Sequence, residues 1–118
     1  MLTMLLLCTT TIFASEQNNV LKGTALKPGD CIGIVAPASG MDGMDISMAI
    51  NKLQSWGYKV KLSPNLYQQA GYLAGEDIQR AADLNNFFAD DEVDAILCLR
   101  GGYGSERILD LLDYELIK

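Results

Sequence analysis

With 118 residues, 49% of them hydrophobic and 20% charged, the chain has the size and make-up of one small globular domain and is too short for two. Fifteen acidic against nine basic residues give a formal charge of -6, and no basic cluster is present, which argues against electrostatic capture of nucleic acid or anionic lipid. Histidine is absent, so acid–base chemistry within these residues rests on carboxylates or on a partner segment.

Residues 1–20 differ in composition from everything after them. Met1 to Ala14 carries no charge and holds Leu2, Leu5, Leu6, Leu7, Ile12 and Phe13, followed by Ser15 and the polar run Glu16-Gln17-Asn18-Asn19. This fits the apolar core and cleavage region of an export signal, although a basic flank is missing and Ile12 suits a cut after Ala14 poorly. A disordered leader or a mis-assigned start codon is the alternative, and Leu5-Leu6-Leu7-Cys8 as a lipoprotein box has too short an apolar stretch before it. The run is also shorter than the roughly 20 apolar residues of a spanning helix, so no membrane span is expected. Localisation follows the leader: exported or periplasmic if it is a signal, cytoplasmic otherwise.

Residues 21–118 read as one α/β domain. Leu26-Lys27-Pro28-Gly29-Asp30 is a turn, and Cys31-Ile32-Gly33-Ile34-Val35-Ala36 is a continuous apolar strand ended by Pro37. From Asp45 to Trp56, Ile46, Ala49, Ile50, Leu53 and Trp56 recur at helical spacing, and Gly57 stands where a C-terminal glycine cap belongs. Tyr58 to Leu62 alternates as an edge strand would, with Lys59 and Lys61 guarding the edge. After a loop around Pro64 comes a helix from Glu76 to Ala89, with Ala81, Leu84 and Phe88 on its inner face and an acidic first turn. Asp90-Asp91-Glu92 reads as a solvated turn. Ala95 to Arg100 then forms a strand covered on both faces, followed by a short helix from Glu106 to Leu112. The order βαβαβα predicts a three-layer, flavodoxin-like or Rossmann-like parallel sheet. Cys31 and Cys98 fall in these strands, buried as small hydrophobes or bridged across neighbouring strands.

Ligands of such sheets bind beyond the C-terminal ends of the strands. Two loops qualify, Ala36 to Gly40 and Arg100 to Ser105, and they are expected to lie side by side. In Arg100-Gly101-Gly102-Tyr103-Gly104-Ser105, the strand, glycine turn and helix start point backbone N–H groups at one spot, where an anion or a developing oxyanion would be stabilised. Gly101 and Gly102 either contribute N–H donors to an oxyanion hole or serve a tight turn. Ser105 reads as a helix N-cap rather than a nucleophile, because no base is at hand and the pattern is not a GxSxG elbow. Ser39 is expected to cap or line the site, and Tyr103 to pack over the loop or face a substrate. Arg100 is a candidate for holding a substrate carboxylate or for pairing with Asp94 or Asp113.

Several blocks together identify the chain as resembling the LD-carboxypeptidase family, which includes muramoyltetrapeptide carboxypeptidases and a branch conferring immunity to microcin C. They are Leu26 to Asp30, Ile34 to Ser39, Gly71-Tyr72-Leu73-Ala74-Gly75 with Asp77, Arg80, Asp83 and Leu84, Val93 to Ser105, and Leu112-Asp113-Tyr114. The resemblance implies hydrolysis of the L,D peptide bond that releases terminal D-alanine from a murein tetrapeptide in cell-wall recycling. It implies a Ser, Glu and His triad, with the serine in a Gly-(Tyr or Phe)-Ser-Asp motif beyond Lys118 and the other two in a separate C-terminal domain. On that reading the 118 residues carry no catalytic residue and are inactive alone; neither metal nor nucleotide cofactor is called for. The substrate is a murein or related peptide, and oligomeric state is left open, a homodimer included. The Gly71 to Gly75 block reads as scaffold. The rival is a phosphate- or nucleotide-binding module, since Gly101 to Ser105 is also similar to the Gly-Gly-Asp-Gly-Ser loop of phosphofructokinases. Tyr103 then replaces the expected acid, and no Walker lysine or GxGxxG is present. A scaffold with a decayed site is the third reading.

Overall fold

The computed structural model describes residues 22–118; the leader, with its signal, lipoprotein and start-site alternatives, lies outside the described residues. Three parallel strands make the sheet: β1 (Cys31–Val35), β2 (Lys59–Leu62) and β3 (Ala95–Cys98), in the order β2-β1-β3. Between them run helices α1 (Ser47–Ser55) and α2 (Asp77–Phe88), and a 3-10 turn (Glu106–Leu111) and the short α3 (Tyr114–Ile117) close the chain. Among the described residues no helix is long and apolar enough to cross a membrane.

β1 is the centre because it alone is paired on both sides, and all five of its residues are buried. Alternate side chains supply the two outer layers. Ile34 packs with Met41, Ile46 and Leu66 under α1, while Val35 packs with Ala81, Leu84 and Phe87 of α2 and with Ile108. The α/β, three-layer architecture is therefore as its hydrophobic pattern predicts.

Local chemistry sets the element ends. Gly57, at φ 90°, terminates α1: the Gly57 N–H donates to Gln54 O at 2.9 Å and the Tyr58 N–H to Leu53 O at 3.2 Å, the paired bonds of a Schellman cap. At the start of α2 the Gln79 side chain accepts from the Glu76 N–H at 2.9 Å. Asp94 ties β3 to β1 twice, its carboxylate accepting from the Cys31 N–H at 2.7 Å and its own N–H donating to Cys31 O at 2.9 Å.

Several expectations need correction. β3 is half exposed, with Leu97 at 40%, because among the described residues it has a strand on one side only. Cys98 is accordingly exposed, and both Cys31 and Cys98 are free thiols. The register sets Cys98 opposite Val35, so Cys31 lies four residues back along β1. That is about 13 Å of strand, far outside disulfide reach. Phe87, not Phe88, faces the sheet, and Trp56 is exposed, with the Lys52 ammonium 5.1 Å from its ring centre. The acidic turn is largely exposed as expected, and it adds surface ion pairs: Lys61 reaches Asp90 at 2.5 Å and Glu92 at 3.2 Å. The closing helix is a 3-10 turn, with only Ile108 of it buried.

The sheet and α2 leave no room at Gly33, where an added Cβ would lie 2.6 Å from the Phe87 ring. Gly33→Ala is expected to destabilise the chain by about 1–3 kcal/mol through overpacking, read as a lowered urea midpoint at unchanged slope. A midpoint equal to that of the parent sequence would show that the ring moves aside at no cost.

Candidate functional site

β1 and β3 are neighbours, so the loops that follow them emerge together, and a third segment joins them. Leu73 forms antiparallel bridges with both Ser39 and Ala70. The Gly40 N–H donates to Tyr72 O and the Ala74 N–H to Ala38 O, each at 2.9 Å. The turn at 70–75 is thereby sewn to the loop after β1. The loop after β3 then presses on it: Gly104, at φ 102°, sits so close that a Cβ there would fall 2.3 Å from Leu73 Cδ2. Only glycine meets both demands.

Beneath these loops lies Arg80 of α2, 1% exposed and among the largest fully buried side chains. Its guanidinium donates to Pro37 O, to Gly104 O at 2.8 Å and to Gly75 O at 3.3 Å, so a single group holds all three loops. Asp77, one turn earlier on α2, accepts from Arg80 and also from Arg107 Nε at 2.9 Å. The Arg107 hydrogen bond first, and then Arg80, hold the Asp77 carboxyl below the usual carboxylate range. Asp83, also buried, accepts from the Asn65 backbone and side chain and anchors the start of the loop that carries Leu66.

The candidate residues fall around this frame. Ser39 is buried at 3% and lines a pocket of about 160 Å³ with Asp42, Gln69, Tyr72 and Arg100. Arg100 Nη1 lies 3.4 Å from Gly40 O, and its proposed acidic partners are engaged elsewhere. Asp94 binds β1, and Asp113 caps α3 by accepting from the Glu115 and Leu116 N–H groups. Gly101 and Gly102 are exposed, Gly102 is at φ 101°, and among the described residues neither N–H donates a hydrogen bond. Tyr103 is 65% exposed and packs tilted against Tyr72, ring centres 6.2 Å apart. Tyr72 therefore belongs to the site as well as to the scaffold block.

Two expectations fail here. The Ser105 hydroxyl makes no cap hydrogen bond, and its backbone is already helical at φ -66° and ψ -35°. The Ser105 carbonyl accepts from the Ile108 N–H at 3.4 Å. The Glu106 carboxylate takes the Gly104 N–H at 2.9 Å, so that donor is not open to an external anion. In the sequence Arg80 falls in a family block without an assigned role, although a signal for that role is present. It shares the inward stripe of α2 with Ala81, Leu84 and Phe87, and a cation on an apolar stripe needs acceptors waiting for it.

Residues 32–118 match the family described as "LD-carboxypeptidase N-terminal domain". A Bacillus subtilis (strain 168) protein named "Probable murein peptide carboxypeptidase" is 46% identical over 97 residues, 82% of this chain and 30% of that protein. The "Murein tetrapeptide carboxypeptidase" of Pseudomonas aeruginosa is 34% identical over 83 residues, 70% of this chain and 27% of that protein. Among solved structures, an MccF-like protein from Bacillus anthracis str. Ames superposes with a TM-score of 0.78 at 31% identity, covering 83% of this chain and 31% of its own. The chain thus spans about 30% of the length of curated relatives that it matches.

Arg80→Met is expected to cost about 3–5 kcal/mol in chemical denaturation, because it strands three buried carbonyls that water cannot reach. Arg80→Lys should recover only part, since one ammonium cannot span acceptors on three loops. Asp77 supplies a pH test. Its carboxyl is depressed in the folded chain, so its contribution is complete above the unfolded value of about 3.9 and is lost as pH falls below it toward the folded value. Asp77→Asn should therefore flatten the stability profile below about pH 4; an unaltered profile would show that the pairing contributes nothing.

Proposed function

The chain belongs to the LD-carboxypeptidase family, and from that premise we propose that it supplies the N-terminal half of the active site of a serine-type carboxypeptidase. The proposed reaction is hydrolysis of an L,D peptide bond that frees the terminal D-alanine of a murein tetrapeptide. The observation that carries the reading is the match over residues 32–118, which includes every loop that converges on Arg80.

Acyl transfer needs a nucleophile, a base, and donors placed where negative charge develops on the carbonyl oxygen. In this proposal the residues in hand supply the last. The Gly101 and Gly102 N–H groups, free of partners among the described residues, are the oxyanion donors. Backbone donors suit the task because they are fixed by the loop and need no reorganisation during the reaction. The Arg100 guanidinium, unpaired with Asp94 or Asp113, holds the peptide's terminal carboxylate and so fixes which bond lies over the donors. Ser39 and Tyr103 border the substrate.

The nucleophile, glutamate and histidine are assigned to the rest of the protein. Nothing in the 118 residues substitutes for them: there is no histidine and no Gly-(Tyr or Phe)-Ser-Asp sequence. On this proposal the leader is an export signal and the domain comprises residues 21–118.

The full-length protein is expected to release D-alanine from an L,D tetrapeptide, while the 118-residue chain alone releases none; turnover by the chain alone would overturn the assignment of the nucleophile. Gly101→Pro deletes one proposed donor, whereas Gly101→Ala keeps it in open space. The proline variant of the full-length enzyme should lose roughly 100- to 1000-fold in kcat and the alanine variant little. Equal losses would remove the Gly101 N–H from the oxyanion hole.

A further inference from the structure

The pocket beside Arg100 carries opposite charges that do not neutralise each other. Arg100 and Asp42 both line it, yet among the described residues neither forms an ion pair. A ligand bearing only a negative charge would satisfy Arg100 while facing the Asp42 carboxylate, and a cation would meet the reverse penalty. A ligand with both charges satisfies both.

Asp42 and Gly43, at φ 41° and 71°, are the central pair of a turn closed by the Met44 N–H donating to Met41 O at 2.8 Å. That turn fixes where Asp42 stands on the pocket wall. The volume of about 160 Å³ is on the scale of a small amino acid such as glycine or alanine. Ser39, Gln69 and Tyr72 add neutral polar residues to the wall.

We propose that this pocket is a subsite for a small free amino acid in its zwitterionic form, its carboxylate on the Arg100 guanidinium and its ammonium facing Asp42. The identity of that ligand rests on the carboxypeptidase reading: the released C-terminal residue is such a molecule. Before cleavage its carboxylate is charged and its nitrogen is an uncharged amide, so only Arg100 is fully used. After cleavage the nitrogen becomes an ammonium and Asp42 is used as well. The pocket therefore holds the product more tightly than it holds the same residue within the substrate, and the free amino acid inhibits the enzyme.

The test is calorimetric titration of the full-length protein with D-alanine and with D-lactate, which keeps the carboxylate and lacks the ammonium. D-alanine should bind at least tenfold more tightly. Asp42→Asn, with a side chain that the left-handed region tolerates, should bring the two affinities together, and Arg100→Met should abolish both, with circular dichroism confirming that each variant is folded. Equal affinity in the unsubstituted protein, or a preference that survives Asp42→Asn, overturns the subsite. Assaying the same protein for tetrapeptide turnover separates this from the proposed activity. Turnover without a zwitterion preference sinks the subsite alone, whereas the preference without turnover upholds the subsite and sinks the carboxypeptidase reading.

Discussion

A guanidinium sealed under three loops is the constraint on which the site depends. A buried cation without partners is so costly that Arg80 cannot be accommodated unless Pro37, Gly75 and Gly104 all present their carbonyls to it. The requirement runs in both directions. Those carbonyls belong to irregular backbone away from the ladder, and each would be unsatisfied without the arginine. α2 therefore does more than cover one face of the sheet. It fixes the separation between the loop after β1 and the loop after β3, which the strands alone would leave to the flexibility of glycine.

The Asp77 carboxylate extends this arrangement outward. By accepting from Arg80 below and Arg107 above, it links the buried frame to the 3-10 turn that follows the glycine loop. Gly104 is held from two sides, its carbonyl by Arg80 and its N–H by Glu106, while Leu73 fills the space where a side chain would be. Gly101 and Gly102 lie just before this anchored point. Their backbone donors are open while the loop that carries them is pinned at its end.

How much of this is legible in the sequence depends on the range of the interaction. Strand and helix order, the Gly57 cap and the adjacency of the two loops follow from local periodicity and from the rule that ligands sit at the C-terminal ends of parallel strands. The phase of α2 is harder to read. Phe87 and Phe88 are both apolar, and it is Phe87 that turns inward, its ring lying over Gly33, which has no side chain to resist it. The exposure of β3 has another origin, since an apolar run reports what a strand is suited to pack against and not what stands beside it. Ser105 is a good cap by residue type, but its backbone is already helical rather than extended, and the Ile108 N–H goes to its carbonyl instead of its hydroxyl. Arg80 stands out as a cation on the apolar stripe of α2, but its partners are not legible because they are main-chain carbonyls, which every residue possesses.

That last point has a consequence for how sites of this kind diversify. The frame is encoded in main-chain atoms and one arginine, while the side chains that line the neighbouring pocket and loop surface are those of Ser39, Asp42, Tyr72, Arg100 and Tyr103. Substitutions at those five positions leave the arginine's acceptors untouched, so selectivity can drift without loosening the scaffold. Positions 80 and 104 lack that freedom. The architecture thus separates substitutions that alter the exposed loop surface from substitutions that alter foldability.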